Sequence, residues 1–192
     1  CSSDLHQDQE DGKTMKDRTE IVASGFGGQG VVRLGQTLGE AAVKQGLRVT
    51  MLKSHGTEMR GGYVRSQVVL SDKPIDSPMC ETPQVFLALS GAAYKRFKDT
   101  VPTGGLIVYD LAFVEEVDQN LSCTQKALPA KDLAMKHFKR PIFSNAIALG
   151  ALARLLSNTL DKEIILESFI EVIPKYKNEN REAFELGYNQ IE

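Results

Sequence analysis

The 192-residue chain has no tryptophan, only three cysteines and only three histidines. Cys1, Cys80 and Cys123 lie far apart and form no C-x-x-C pair, whereas an iron–sulfur cluster needs four closely grouped thiolates. The histidines are equally scattered, so the spacing typical of a zinc site is absent. The sequence therefore predicts free thiols in a reducing compartment and no metal centre held by this chain.

Long hydrophobic runs are missing as well. No apolar run reaches the roughly 18 residues that a membrane span requires, and no secretory hydrophobic segment is present. These absences predict a cytoplasmic protein. The net charge is −2, and a nucleic-acid surface would require a strong basic bias instead.

The first 14 residues differ in composition from the remainder. Cys1 to Thr14 are polar and contain a single aliphatic side chain, Leu5. They predict a disordered or vector-derived arm in front of a start methionine, Met15. Residues 15–192 have the length of one domain.

A glycine-rich segment, Gly25-Phe26-Gly27-Gly28-Gln29-Gly30, separates a predicted strand, Ile21–Ser24, from a predicted helix, Val31–Gln45. Glycines in this G-x-G-x-x-G setting allow a sharp turn and close approach of a ligand. The free N–H groups of the helix start attract phosphate or carboxylate. The alternative is a turn needed only for packing. Gly35 and Gly39 favour that alternative, because they would let the helix lie close to a neighbour.

The ligand of this loop is not predicted to be NAD. The second predicted strand, Leu47–Leu52, is followed by Lys53 and Ser54 and lacks the acidic residue that holds the ribose. The absence of G-K-[ST] excludes a Walker-type site. Two occupants of this loop therefore remain as alternatives: another phosphate-bearing ligand, or the loop of a partner protein.

Further strands and helices alternate along the chain. Strands are predicted at Val64–Leu70, Val85–Leu89 and Leu106–Tyr109, and helices at Pro129–Phe138, Asn145–Ser157, Lys162–Ile173 and Glu179–Ile191. This order predicts an α/β, Rossmann-like domain of three layers, with a largely parallel sheet and a helical C-terminal part. Asn145 is predicted to cap its helix, and the polar last helix to be peripheral.

A second motif, residues 55–62, follows the second strand and should lie beside the glycine loop at the carboxyl edge of the sheet. Arg60 in this segment can meet a carboxylate or phosphate with its planar fork, and Glu58 can orient it. The alternative is a flexible loop with a solvated ion pair.

These segments together resemble the gamma subunit of 2-oxoacid:ferredoxin oxidoreductases. The strings GFGGQGV, SHGTEMRGG and LSDKPIDSP, followed by Asn145 and Leu149-Gly150-Ala151, occur in the family's order and spacing. The similarity extends from about Thr19 to at least Leu156.

The resemblance implies an enzyme subunit that is inactive alone and has no catalytic residue of its own. It implies oxidative decarboxylation of a 2-oxoacid and formation of an acyl-coenzyme A, with two electrons passed to ferredoxin. Thiamine diphosphate, magnesium and iron–sulfur clusters would be in the partner alpha, beta and ferredoxin-like delta subunits, and a homodimer is compatible with the family. The implied coenzyme A-binding residues are Gly25, Gly27, Gly28, Gln29, Gly30, Glu58, Arg60, Gly61 and Gly62.

The substrate is harder to assign, because its pocket would be mostly in other subunits. The glycine string and the segment TEMRGG are nearer to the 2-oxoglutarate branch. Pyruvate, branched-chain 2-oxoacid and indolepyruvate members remain alternatives. A stand-alone nucleotide- or acyl-binding Rossmann module without catalysis is the alternative from another class.

Overall fold

A computed structural model describes residues 18–55 and 63–191. The strands of this part are β1 (Thr19–Phe26), β2 (Arg48–His55), β3 (Tyr63–Ser71), β4 (Val85–Ala88), β5 (Leu106–Asp110) and β6 (Thr124–Leu128). The helices are α1 (Val31–Lys44), α2 (Gly91–Phe97), α3 (Ala130–Phe138), α4 (Ser144–Leu155), α5 (Lys162–Val172) and α6 (Lys177–Gln190). Short 3-10 turns occupy Lys98–Thr100 and Pro141–Phe143.

The strands form one sheet in the order β2-β3-β1-β4-β5-β6. Only β3 runs against its neighbours, since β1 pairs in parallel with β4, β4 with β5, and β5 with β6. Strand β4 is wholly buried and apolar, and β1 is buried at all but its last residue, as expected of strands covered on both faces. The predicted Rossmann-like α/β fold with a largely parallel sheet is therefore confirmed.

Two hydrophobic layers cover the sheet. One face packs against α1 and the C-terminal helices, with Ile21, Leu34 and Phe169 in its core. The other face packs against α2, around Phe86 and Tyr94. None of the helices within the described residues combines the length and the hydropathy that a membrane span needs.

The C-terminal helix α6 corrects one prediction, because it is not peripheral. It buries Ala183, Phe184 and Gly187 against the rest of the domain. A Cβ atom added to Gly150 of α4 would lie 2.8 Å from the carbonyl carbon of Phe184 and would overlap its oxygen. The sequence predicted a peripheral helix because most residues of α6 are polar. The close contact with α4 is made by backbone atoms, which a pattern of apolar side chains does not reveal.

The predicted cap of α4 is also wrong. The helix begins at Ser144, one residue before Asn145, and no side chain of the described part of the chain caps its first turn. Asn145 instead lies against Gly30 of the glycine loop: a Cβ atom added to Gly30 would be 2.7 Å from the Asn145 Nδ2 atom.

Replacement by alanine should have opposite effects on stability at two glycines of α1. Gly35→Ala should lower the free energy of unfolding by about 1–3 kcal/mol, because the new Cβ would lie 2.9 Å from Met51 Cε and would overlap Ser66 Oγ. Gly39→Ala should raise it by about 0.5–1 kcal/mol, because the nearest atom, Val49 Cγ1, is 3.5 Å away and alanine favours a helix. Urea unfolding of both variants measures the difference. Equal tolerance would contradict the close packing of α1 on β3.

Candidate functional site

The glycine loop, residues 25–30, lies at the carboxyl end of β1, and the side chain of Gln29 shapes it. Gln29 Nε2 donates to the Leu89 carbonyl oxygen at 2.8 Å, and its Oε1 accepts from the Phe26 N–H at 2.6 Å. These two bonds tie the end of β1 to the end of β4. A Cβ atom on Gly25 would overlap Gln29 and lie 2.8 Å from Leu89 Cβ, so glycine is required there.

The start of α1 is open to an anion. Gly30 takes the position before the helix with φ 78°, and its left-handed backbone suits glycine. Among the described residues no side chain caps the helix, and its first turn contains no acidic residue. The first N–H groups of α1 therefore keep their donor capacity and the positive end of the helix dipole. Gly28, with φ 89°, gives the loop its second left-handed turn.

The loop borders two clefts. The inner cleft, about 240 Å³, is lined by Gly28, Gln29, Phe113, Lys131, Pro141, Ile142, Ser144 and Asn145. The outer cleft, about 350 Å³, is lined by Phe26, Gly27, Gly28, Gly30, Val31, Val32, Arg33 and Val64. A Cβ atom on Gly27 would meet no atom of residues 18–55 and 63–191 within 4 Å, so these residues do not require glycine there.

The inner cleft contains polar groups that the sequence reasoning did not connect with the loop. Lys131, near the start of α3, has its Nζ atom 4.8 Å from the ring centroid of Phe113. The buried carboxylate of Asp110 fixes this corner, because it accepts from the N–H groups of Ala112 at 3.0 Å and Lys131 at 3.2 Å. Burial raises the pKa of Asp110 above its ordinary value. The sequence alone does not indicate that Lys131 or Asn145, both more than 100 residues beyond the loop, lies next to it.

The predicted residues Glu58, Arg60, Gly61 and Gly62 lie outside the described residues. The strands that flank their segment are described. Strand β3 places Tyr63 opposite Phe26, and β2 places His55 opposite Val64. The residues that flank the segment on both sides therefore lie at the carboxyl end of β1, where the glycine loop begins.

A cluster of arginine and aromatic side chains lies on the α2 face of the same edge, and the sequence did not predict it. The Arg65 guanidinium lies 4.8 Å from the ring centroid of Phe97, and that of Arg96 lies 5.0 Å from the ring centroid of Tyr63. Burial lowers the pKa of Arg65, whose guanidinium also contacts the side chain of Gln67. This packing holds two cations close to the carboxyl edge.

The cysteines Cys80 and Cys123 are free, as the sequence predicted, and both are buried. Burial raises the pKa of the Cys80 thiol to about 12, which leaves it protonated and unreactive at neutral pH. Within residues 18–55 and 63–191, no group of three His, Cys, Asp or Glu side chains is arranged to hold a metal ion.

Comparisons with known proteins agree with the fold. Residues 20–190 match the family described as pyruvate ferredoxin/flavodoxin oxidoreductase. The chain is 37% identical over 179 residues to the 2-oxoglutarate synthase subunit KorC of Methanocaldococcus jannaschii, which covers 92% of this chain and 95% of that protein.

Two solved structures are similar to this chain. The gamma subunit of a keto/oxoacid ferredoxin oxidoreductase from Geobacter sulfurreducens has a TM-score of 0.78 and 29% identity, over 90% of this chain and 97% of that one. The 2-oxoglutarate:ferredoxin oxidoreductase of Magnetococcus marinus, with 2-oxoglutarate, coenzyme A and succinyl-CoA bound, has a TM-score of 0.82 and 28% identity, over 92% of this chain and 31% of that one. The chain therefore belongs to the pyruvate ferredoxin/flavodoxin oxidoreductase family, as the gamma subunit of a 2-oxoacid:ferredoxin oxidoreductase.

Proposed function

We propose that this subunit belongs to a cytoplasmic 2-oxoglutarate:ferredoxin oxidoreductase, and that its glycine loop and segment 56–62 bind the phosphate-bearing part of coenzyme A. The similarity to a 2-oxoglutarate synthase subunit supports the substrate. The coenzyme A and succinyl-CoA bound in the similar Magnetococcus marinus enzyme support the co-substrate. The observation that carries the proposal is the uncapped start of α1 directly behind Gly30.

The proposed reaction converts 2-oxoglutarate and coenzyme A into succinyl-CoA and carbon dioxide, and passes two electrons to ferredoxin. Thiamine diphosphate and magnesium would be held by the alpha and beta subunits, and the iron–sulfur clusters by those and a ferredoxin-like delta subunit. Thiamine diphosphate supplies the electron sink for decarboxylation. This chain contributes binding and orientation of coenzyme A, which brings the thiol to the acyl group that it must receive.

The backbone geometry of the loop supports a phosphate ligand. Gly27 lines the outer cleft and no other described residue fills the space of its missing side chain, so a ligand can approach the backbone closely there. The first turn of α1 offers N–H donors and contains no acidic residue of its own. Strand β2 ends in Lys53, Ser54 and His55 and thus offers no carboxylate for the ribose of NAD.

Reconstitution of the complex tests the proposal. The purified chain alone should give no viologen reduction, because the redox chemistry depends on cofactors in other subunits. After co-purification with the alpha, beta and delta subunits, 2-oxoglutarate should give the highest kcat/KM in a panel with pyruvate, 2-oxoisovalerate and indolepyruvate. We expect a margin of at least about tenfold, or ~1.4 kcal/mol of transition-state stabilisation.

A complex assembled without this chain is the control, and it should lose coenzyme A-dependent turnover. Preference for another 2-oxoacid would overturn the assigned substrate. Turnover by the isolated chain would overturn its assignment as a subunit that depends on its partners.

A further inference from the structure

We propose that Lys131 and Asn145 form a phosphate-binding subsite in the inner cleft beside the glycine loop. The proposal rests on the proposed coenzyme A function and assigns two residues to it. Both side chains line the inner cleft together with Gly28 and Gln29 of the loop. A phosphate group of coenzyme A is the expected occupant.

Lys131 supplies the cation. Its Nζ atom lies 4.8 Å from the ring centroid of Phe113, and both residues line the inner cleft. Within the part of the chain that the structure describes, no carboxylate forms an ion pair with this ammonium, whereas Lys44, Lys98 and Lys162 all have acidic partners. A lysine beside a cleft whose ammonium is in no direct ion pair is available to a phosphate, which it binds as a point charge.

Asp110 positions this lysine through the backbone, and its carboxylate also attracts the Lys131 ammonium without forming an ion pair with it. One carboxylate oxygen accepts from the backbone N–H of Lys131 at 3.2 Å, and the other accepts from the N–H of Ala112 at 3.0 Å. The Asp110 carbonyl oxygen accepts from the Phe113 N–H at 3.0 Å. Asp110 thus holds the backbone of both Lys131 and Phe113, the two residues that meet at this end of the cleft. Asp110 itself does not line the cleft, and neither does Asp132.

Asn145 supplies the neutral donor. A Cβ atom on Gly30 would lie 2.7 Å from Asn145 Nδ2, so the amide is held against the glycine loop. Among the hydrogen bonds of the described residues, none uses the Asn145 side chain, and the residue is partly exposed. Its NH₂ group can therefore donate to an oxygen in the cleft. Lys131 and Asn145 thus place a charged donor and a neutral donor at one opening.

Equilibrium binding of coenzyme A to the assembled complex, without a 2-oxoacid, tests the subsite. Lys131→Gln should raise Kd about tenfold, because it removes a charge-assisted contact. Asn145→Asp should raise Kd at least as much, because it places a negative charge in the cleft at nearly unchanged volume. This aspartate would lie in the first turn of α4, where an acidic residue favours the helix, so folding should be preserved.

Lys136→Gln is the matched control, since Lys136 is exposed on the same helix and does not line the cleft. It should leave Kd within about twofold of the wild type. Dephospho-coenzyme A identifies the phosphate that is held: if Lys131→Gln weakens both ligands equally, the subsite holds the diphosphate. If Lys131→Gln weakens only coenzyme A, the subsite holds the 3′-phosphate. Either pattern supports the proposal.

Wild-type Kd values for both Lys131→Gln and Asn145→Asp in normally assembled complexes would overturn the subsite. If Gly27→Val still weakens coenzyme A in that case, the glycine loop remains its site and only the subsite fails. If none of these variants changes Kd, the proposed coenzyme A function of the chain fails with it.

Discussion

Alanine at position 187 should lower the free energy of unfolding by at least about 3 kcal/mol, although alanine is normally the better helix residue. The Cβ atom added to Gly187 would overlap the carbonyl oxygen of Ile147 and lie 2.8 Å from its Cα. Backbone atoms have no alternative rotamer, so α4 and α6 would have to separate. Their separation would expose Phe184, whose full burial is worth about 1.5–3 kcal/mol.

Urea unfolding of Gly187→Ala and of Asn189→Ala measures this effect. Asn189 is exposed on the same helix, so its replacement should change stability by no more than about 0.5 kcal/mol. If helix propensity alone decided the outcome, Gly187→Ala would raise the free energy of unfolding. That result would contradict the backbone contact between α4 and α6.

The second large effect is expected at the glycine loop. Gly27→Val should raise the KM for coenzyme A of the assembled complex well above tenfold, because its side chain would occupy the space that the ligand needs. The chain itself should tolerate valine. No atom of the described residues lies within 4 Å of the new Cβ, and the φ angle of Gly27 is not positive.

Arg60→Ala should have a smaller effect on the same constant, about tenfold or more. This corresponds to the ~1.5–3 kcal/mol that a hydrogen bond to a charged group typically contributes. Arg48→Ala, at the other end of the β2–β3 hairpin, is the matched control and should leave the constant unchanged. If both Gly27→Val and Arg60→Ala assemble normally and keep the wild-type KM, the loop serves packing, and coenzyme A binds elsewhere.

Local patterns predicted most of the helices and strands within a few residues. Helix α1 is an example, because Gly30 and Gly46 bracket its apolar stripe. Helix α2 was missed, since it has only seven residues and Ser90 was not recognised as its cap, although Ser90 Oγ accepts from the Ala93 N–H at 3.2 Å. Strand β6 was missed because it is a polar edge strand without apolar alternation.

The candidate site was predicted only where its residues are contiguous. The glycine loop could be recognised because one strand, one turn and one helix follow each other in sequence. Lys131, Phe113 and Asn145 reach the same cleft from three separate segments, so only the packing of the domain brings them together. The resemblance to a family identified the ligand class, which no local pattern of residues specifies.

Strand β2 has a consequence for the subunit before it meets its partners. It is an edge strand of eight residues, and such an edge invites pairing with another chain. Arg48 and Lys53 lie near its two ends and are exposed. If two copies paired their β2 strands in antiparallel register with Arg48 opposite Lys53, like charges would meet twice and oppose the pairing. The two cations therefore oppose pairing of unassembled subunits along this edge in that register.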